Sequence, residues 1–79
     1  SRAHFMSFFH RYTGMTCVEY INRCRLYRAA QLLAETERPV METALENGFH
    51  NISYFNKKFR SQFGVTPKEY RAAARRLEK

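Results

Sequence analysis

Cysteine, proline and glycine are scarce here: two, two and three residues in a chain of 79. Two thiols cannot build a disulfide framework. Cys17 and Cys24 fall seven positions apart in a segment with helical patterning, a rise of about 10 Å at ~1.5 Å per residue and too far for a mutual bond. They read as reduced, partly buried thiols. No Cys/His cluster has zinc-ligand spacing, so neither a metal nor a cofactor is expected. No apolar run approaches the ~20 residues of a membrane span, and no signal peptide opens the chain. A cytoplasmic location is the expectation. There is no initiator Met, so Ser1 is expected to mark the edge of a cut fragment. No segment sustains period-two alternation, and no strands are predicted.

What the chain does have is large apolar side chains and positive charge. Seven Phe and five Tyr can fill one small core, which a disordered chain would lack the means to do. Net charge is +7 and unevenly spread. Arg2, Arg11, Arg23, Arg25 and Arg28 face only Glu19 in residues 1–34, and residues 48–79 are again strongly basic. Between them Glu35, Glu37, Glu42 and Glu46 oppose only Arg38. Two basic lobes flanking an acidic stretch suggest two contacts with a polyanion.

The few glycines and prolines are placed as punctuation. Gly14, Gly48 and Gly64 follow amphipathic runs, where a left-handed cap is wanted. Pro39 and Pro67 sit where a helix begins and no hydrogen bond is lost. Thr16-Cys17-Val18-Glu19 and Thr66-Pro67-Lys68-Glu69 both read as capping boxes. These signals predict five helices, at about 2–13, 17–36, 39–47, 52–63 and 67–77, in an all-α fold.

One clause is written twice. At an offset of fifty, Phe5 pairs with Phe55, Phe9 with Phe59, Gly14 with Gly64, Thr16 with Thr66, Glu19 with Glu69, and Tyr20 with Tyr70. Each copy is a helix with Phe at i and i+4, a glycine stop, and a capped helix opening on a Tyr expected to be buried. A stacked solenoid needs about three copies or more; two copies mean two similar lobes.

In front of the second copy stands VMETALENGFHNISYFNKKFR, residues 40–60. It reads as helix, short turn, helix. Ala44 admits the second helix, and Gly48 takes the turn. A side chain at Gly48 is expected to collide with that second helix. Phe49, Phe55 and Phe59 would fill the angle, and Asn51 is a good N-cap for Ile52. Asn56, Lys57, Lys58, Arg60 and Ser61 then point outward, a set suited to a groove and its phosphates. The residues alone leave an ordinary αα-hairpin with a solvated basic face open beside DNA binding. SRAHFMSFFHRYTG would be the second helix of another such unit, with Ser1 as its N-cap and its preceding helix absent. Between the lobes, residues 17–36 carry Val18, Ile21, Leu26, Ala29, Ala30, Leu32 and Leu33, as a helix packing into both would. It spans roughly 28 Å, close to the ~34 Å turn of B-DNA, so it could set two reading helices in successive major grooves.

With RLYRAAQLL, then Val40, Ala44, Gly48 and Phe49, then SYFNKKFRSQFGVTPKEYR in this order and spacing, the chain closely resembles the DNA-binding domain of the AraC/XylS family of bacterial transcription regulators. The resemblance covers nearly the whole chain. It implies a homeodomain-like fold of seven helices, five of them present: a first recognition helix in 1–15, a linker helix in 16–36, and a second helix-turn-helix with a C-terminal helix in 39–79. By position, Ile52, Ser53, Asn56 and Lys57 would face bases from the second lobe, and Arg2, Ala3, Met6 and Ser7 from the first. Ser1, His10, Arg11, His50, Asn51, Lys58, Arg60 and Ser61 would meet phosphates. Ala3, Met6 and Ser7 offer few strong donors, so readout there is weak or falls to Arg2. Thr43 stands where the family usually has a larger aliphatic, which implies looser packing. Implied partners are double-stranded DNA, RNA polymerase, and an effector or dimerisation domain in the intact chain.

An enzyme is not expected. His4, His10 and His50 are scattered, and no paired carboxylates or nucleophile–base arrangement are visible. Arg75, Arg76 and Lys79 read as a solvated helix end. The competing reading is a protein-interaction module whose basic faces meet an acidic partner.

Overall fold

The computed structural model describes residues 1–78, with α1 at Arg2–Thr13, α2 at Cys17–Glu35, α3 at Val40–Glu46, α4 at Ile52–Phe63 and α5 at Pro67–Leu77. Each expected helix is present, its ends displaced by one residue at most, and no strand occurs among the described residues. The expectation for Lys79 lies outside them.

The doubled clause is a doubled structure. Gly14 and Gly64 end α1 and α4 at φ 75° and 78°, donating to the carbonyls of His10 and Arg60. Left-handed backbone of this kind costs glycine least. Thr16 and Thr66 then open α2 and α5 in matching extended conformations. Phe9 meets Tyr20 edge-on with ring centroids 5.4 Å apart, and Phe59 meets Tyr70 the same way at 5.5 Å.

The two capping boxes differ. Thr66 is complete: its hydroxyl accepts from the Glu69 N–H at 3.1 Å, and the Glu69 carboxylate accepts from the Thr66 N–H at 2.9 Å. Those bonds from Thr66 hold the Glu69 carboxyl below its ordinary value. Thr16 is half a box. Its hydroxyl accepts from the Glu19 N–H, but the Glu19 carboxylate takes that hydroxyl, not the backbone N–H of Thr16. Pro39 is likewise one position earlier than expected. It precedes α3 as its cap residue and offers no side-chain bond, whereas Pro67 is the first residue of α5.

The core belongs almost entirely to the second lobe. Leu26, Ala29, Ala30 and Leu33 from α2 bury against Ala44, Phe49, Phe55 and Phe59, with Val40, Ile52, Phe63 and Tyr70 packed around them. An aromatic chain from Phe49 through Phe55 and Phe59 to Phe63 fills the angle between helices, with neighbouring centroids 4.5–5.7 Å apart. Thr43 is buried there too, and its hydroxyl finds no partner among the described residues. The site where a larger aliphatic was expected thus carries a polar mismatch.

Five expectations are corrected by this packing. Arg75 is no solvated end: its guanidinium donates to the carbonyls of Ala34 and Thr36 and pairs with Glu37 at 2.7 Å. Arg71 donates to the Leu33 and Arg38 carbonyls, so α5 caps the C-terminus of α2. Tyr20, expected buried, is 46% exposed, with the Phe9 ring edge-on against it. Val18 and Ile21 are also exposed, so α2 is apolar-packed only in its C-terminal half. Cys24 is exposed rather than part-buried, and its hydrogen bond raises the phenol of Tyr20 one turn away. Finally, a Cβ built on Gly48 (φ 88°) would sit 3.1 Å from the Arg25 guanidinium of α2, not against α4. The partner of that turn is the linker.

Candidate nucleic-acid interface

The α4 helix is built to hold one face inward and turn the other out. Asn51 starts it by accepting from the Tyr54 N–H at 2.9 Å. Phe55 and Phe59, both fully buried, anchor it. At about 100° per residue, Ser53, Lys57, Arg60 and Ser61 fall on the opposite side, and all are exposed. Lys57 and Arg60 form no ion pair among the described residues. Their charge is available to an anion.

The other expected contacts divide by what their neighbours do with them. Asn56 is exposed beside Val40, Met41 and Lys68, on the flank facing α3 and the start of α5. Ile52 is half-buried and packs on the core, which leaves only its edge for a thymine methyl. Lys58 turns to the opposite flank, its ammonium 5.6 Å from the Tyr54 ring centroid, along a cleft shared with Ser61 and α2. His50 is exposed next to Met41 and Leu45. The side-chain oxygen of Asn51 is spent on the cap, so only its amide donors remain free.

The first lobe repeats the geometry with weaker chemistry. Ser1 caps α1 by accepting from the His4 N–H at 3.2 Å. Ala3, Ser7, His10 and Arg11 occupy the places of Ser53, Lys57, Arg60 and Ser61, and all are exposed. Arg2 is exposed at the start of the helix and Met6 is half-buried. No residue of α1 is buried, and Phe5 is 58% exposed where its counterpart Phe55 is fully covered.

Arg23, which the sequence pattern did not single out, lines an exposed cleft between α2 and α4. It stands three positions before Leu26 on the stripe of α2 that enters the core, and a charge at that register was the available signal.

Two helix–glycine–helix repeats on one long helix, one of them a complete helix-turn-helix with an uncompensated basic face, define a nucleic-acid-binding class. A family model described as a helix-turn-helix domain matches residues 1–73, and the chain belongs to this family in its AraC-type form, the DNA-binding domain of bacterial transcription regulators. It is 38% identical over 71 residues to the transcriptional regulator MtrA of Neisseria gonorrhoeae, covering 90% of this chain and 24% of that protein. To RclR of Escherichia coli, an RCS-specific transcriptional activator, it is 38% identical over 77 residues, covering 98% of this chain and 27% of that one. A crystal structure of an AraC-type regulator from Chromobacterium violaceum superposes with a TM-score of 0.88 at 34% identity, covering 94% of this chain and 66% of that one. The chain thus spans about a quarter of the length of the curated relatives it matches.

Proposed function

We propose that this domain reads one face of a DNA duplex with α4 as the principal reading helix and α1 as the lesser, set in successive major grooves by α2. The observation that carries this is the repeat itself: the same helix, glycine stop and Thr-capped helix recur at both ends of a 19-residue helix. Lys57 is the guanine donor, Asn56 the adenine reader from the α4 flank, and Ser53 an adaptable contact. Arg60, Lys58, Arg11 and the free donors of Asn51 and Ser61 bind phosphate, and Arg2 carries what readout the first lobe has. By the same pattern, the first lobe is half of a unit. The second lobe covers Phe55 with α3 and its turn, and upstream residues of the intact regulator cover Phe5 and Phe8 likewise.

In the intact regulator an effector or dimerisation domain controls this module, which acts in the cytoplasm together with RNA polymerase; the relation to RclR favours activation. Among the described residues no helix is long and apolar enough to cross a membrane. The test is selection of bound duplexes from random sequence, followed by Lys57→Ala and Arg60→Ala. Lys57→Ala should cost about 1–3 kcal/mol and relax one or two positions, while Arg60→Ala weakens all sequences alike. Equal losses on selected and random duplex for Lys57→Ala would remove α4 from the reading role.

A further inference from the structure

The stripe of α2 that supplies Leu26, Ala29, Ala30 and Leu33 to the core does not stop at Leu26. It continues toward the N-terminus as Glu19, Asn22 and Arg23, which face Tyr54, Lys58 and Gln62 of α4 across an open cleft of about 310 Å³. Phe9 meets α2 at Tyr20 and the core begins at Leu26, so the cleft occupies the stretch between the two lobes. Its polar groups are only partly satisfied internally. Asn22 donates to the Tyr54 hydroxyl at 3.5 Å, which leaves that O–H free to donate outward. Glu19 is engaged by the Thr16 hydroxyl. Arg23 and Lys58 have no ion-pair partner among the described residues.

We propose that this cleft binds the phosphodiester backbone that crosses between the two major grooves, with Arg23 and Lys58 as its cations and Tyr54 as a neutral donor. The inference rests on the two-groove reading above. A duplex contacted in successive major grooves presents its intervening backbone to whatever joins the reading helices. A planar guanidinium and a point ammonium, with a phenolic donor between their helices, suit the two free oxygens of a phosphodiester. The linker helix is therefore a binding element as well as a spacer, and Lys58 acts from the α2 side of α4 rather than beside Lys57.

The experiment uses the intact regulator on a selected duplex and on random duplex. Arg23→Gln should weaken both by the same factor, about three- to tenfold near 0.1 M salt, and lower the slope of log affinity against log salt by about 0.9. Arg28→Gln removes the same charge about 140° around α2 from Arg23, away from the cleft, and should change little. Methylphosphonates placed only between the two reading sites should weaken the wild type and leave Arg23→Gln indifferent. Equal effects of Arg23→Gln and Arg28→Gln would overturn the proposal, as would methylphosphonates that weaken both proteins alike. A cleft that takes free phosphate instead would show inorganic phosphate shifting Arg23 resonances with no methylphosphonate effect, which also overturns it. Failure of the two-groove reading is separately visible, as a wild-type footprint that protects one major groove instead of two successive ones.

Discussion

At the scale of single residues, the clearest misfit is the Thr43 hydroxyl, fully buried without a partner. An orphaned buried polar group costs about 1–3 kcal/mol, and Val has nearly the same shape. Thr43→Val should therefore raise stability by about 1 kcal/mol, read from urea unfolding, with DNA affinity unchanged. No gain would mean that the hydroxyl is satisfied in solution. Gly48 is the opposite case, a position with two independent reasons to stay small. Gly48→Ala meets left-handed strain of about 1–2 kcal/mol and the Arg25 guanidinium as well. In a double-mutant cycle Arg25→Ala should recover the steric part in the Gly48→Ala background and leave the backbone part. Strict additivity would show that Arg25 swings clear at no cost.

At the scale of elements, the two helix starts predict similar threonine mutants and unequal glutamate ones. Thr66→Ala and Thr16→Ala each remove the hydroxyl that accepts from a glutamate N–H and should each cost about 1 kcal/mol, because the Thr66 N–H that donates to the Glu69 carboxylate survives in the alanine variant. The Glu69 carboxyl titrates lower in the folded chain than in the unfolded one. Its contribution is therefore present above the unfolded value and lost as pH falls through the folded one. Glu69→Gln should flatten the acid side of a stability–pH profile and leave the neutral side's slope untouched; an unaltered acid limb would count against the box. What the sequence made legible lies at this scale. Thr, Asn and Gly at helix ends act on groups three or four residues away, so caps and boundaries could be read locally. The Arg75 and Arg71 bonds to carbonyls 33 to 41 residues away could not, because they depend on how α5 lies across the end of α2. The burial of Tyr20 failed for the same reason: identical local clauses meet different neighbours. On the reading face, the outward side of α4 followed from the Phe55–Phe59 spacing, whereas the turn of Lys58 toward Tyr54 required the position of α2.

At the scale of the whole molecule, the shape is long, 48 × 24 × 18 Å, with the core at one end. Phe5, Phe8, Tyr12, Val18 and Ile21 are about half exposed or more at the other. Large apolar side chains exposed together at one end mark a surface open to burial. On the reading proposed above, a longer chain that supplies the missing cover should melt at a higher temperature and bind DNA more tightly. A chain of residues 1–79 equally stable and equally tight on the same duplex would show that the first lobe needs nothing more.

The uneven burial of α2 also sets a hierarchy in time. Amides in its second half share the core and should exchange with solvent only when the whole lobe opens, while those of α1 and the first turns of α2 sit above no buried side chain. One continuous helix would then span two protection regimes, with the change near Leu26. An encounter with DNA would begin on the ordered lobe, and the first lobe would settle afterwards as an intramolecular step whose effective concentration is fixed by α2. Substitutions in α1 should accordingly shorten the residence time on DNA and leave the association rate almost untouched.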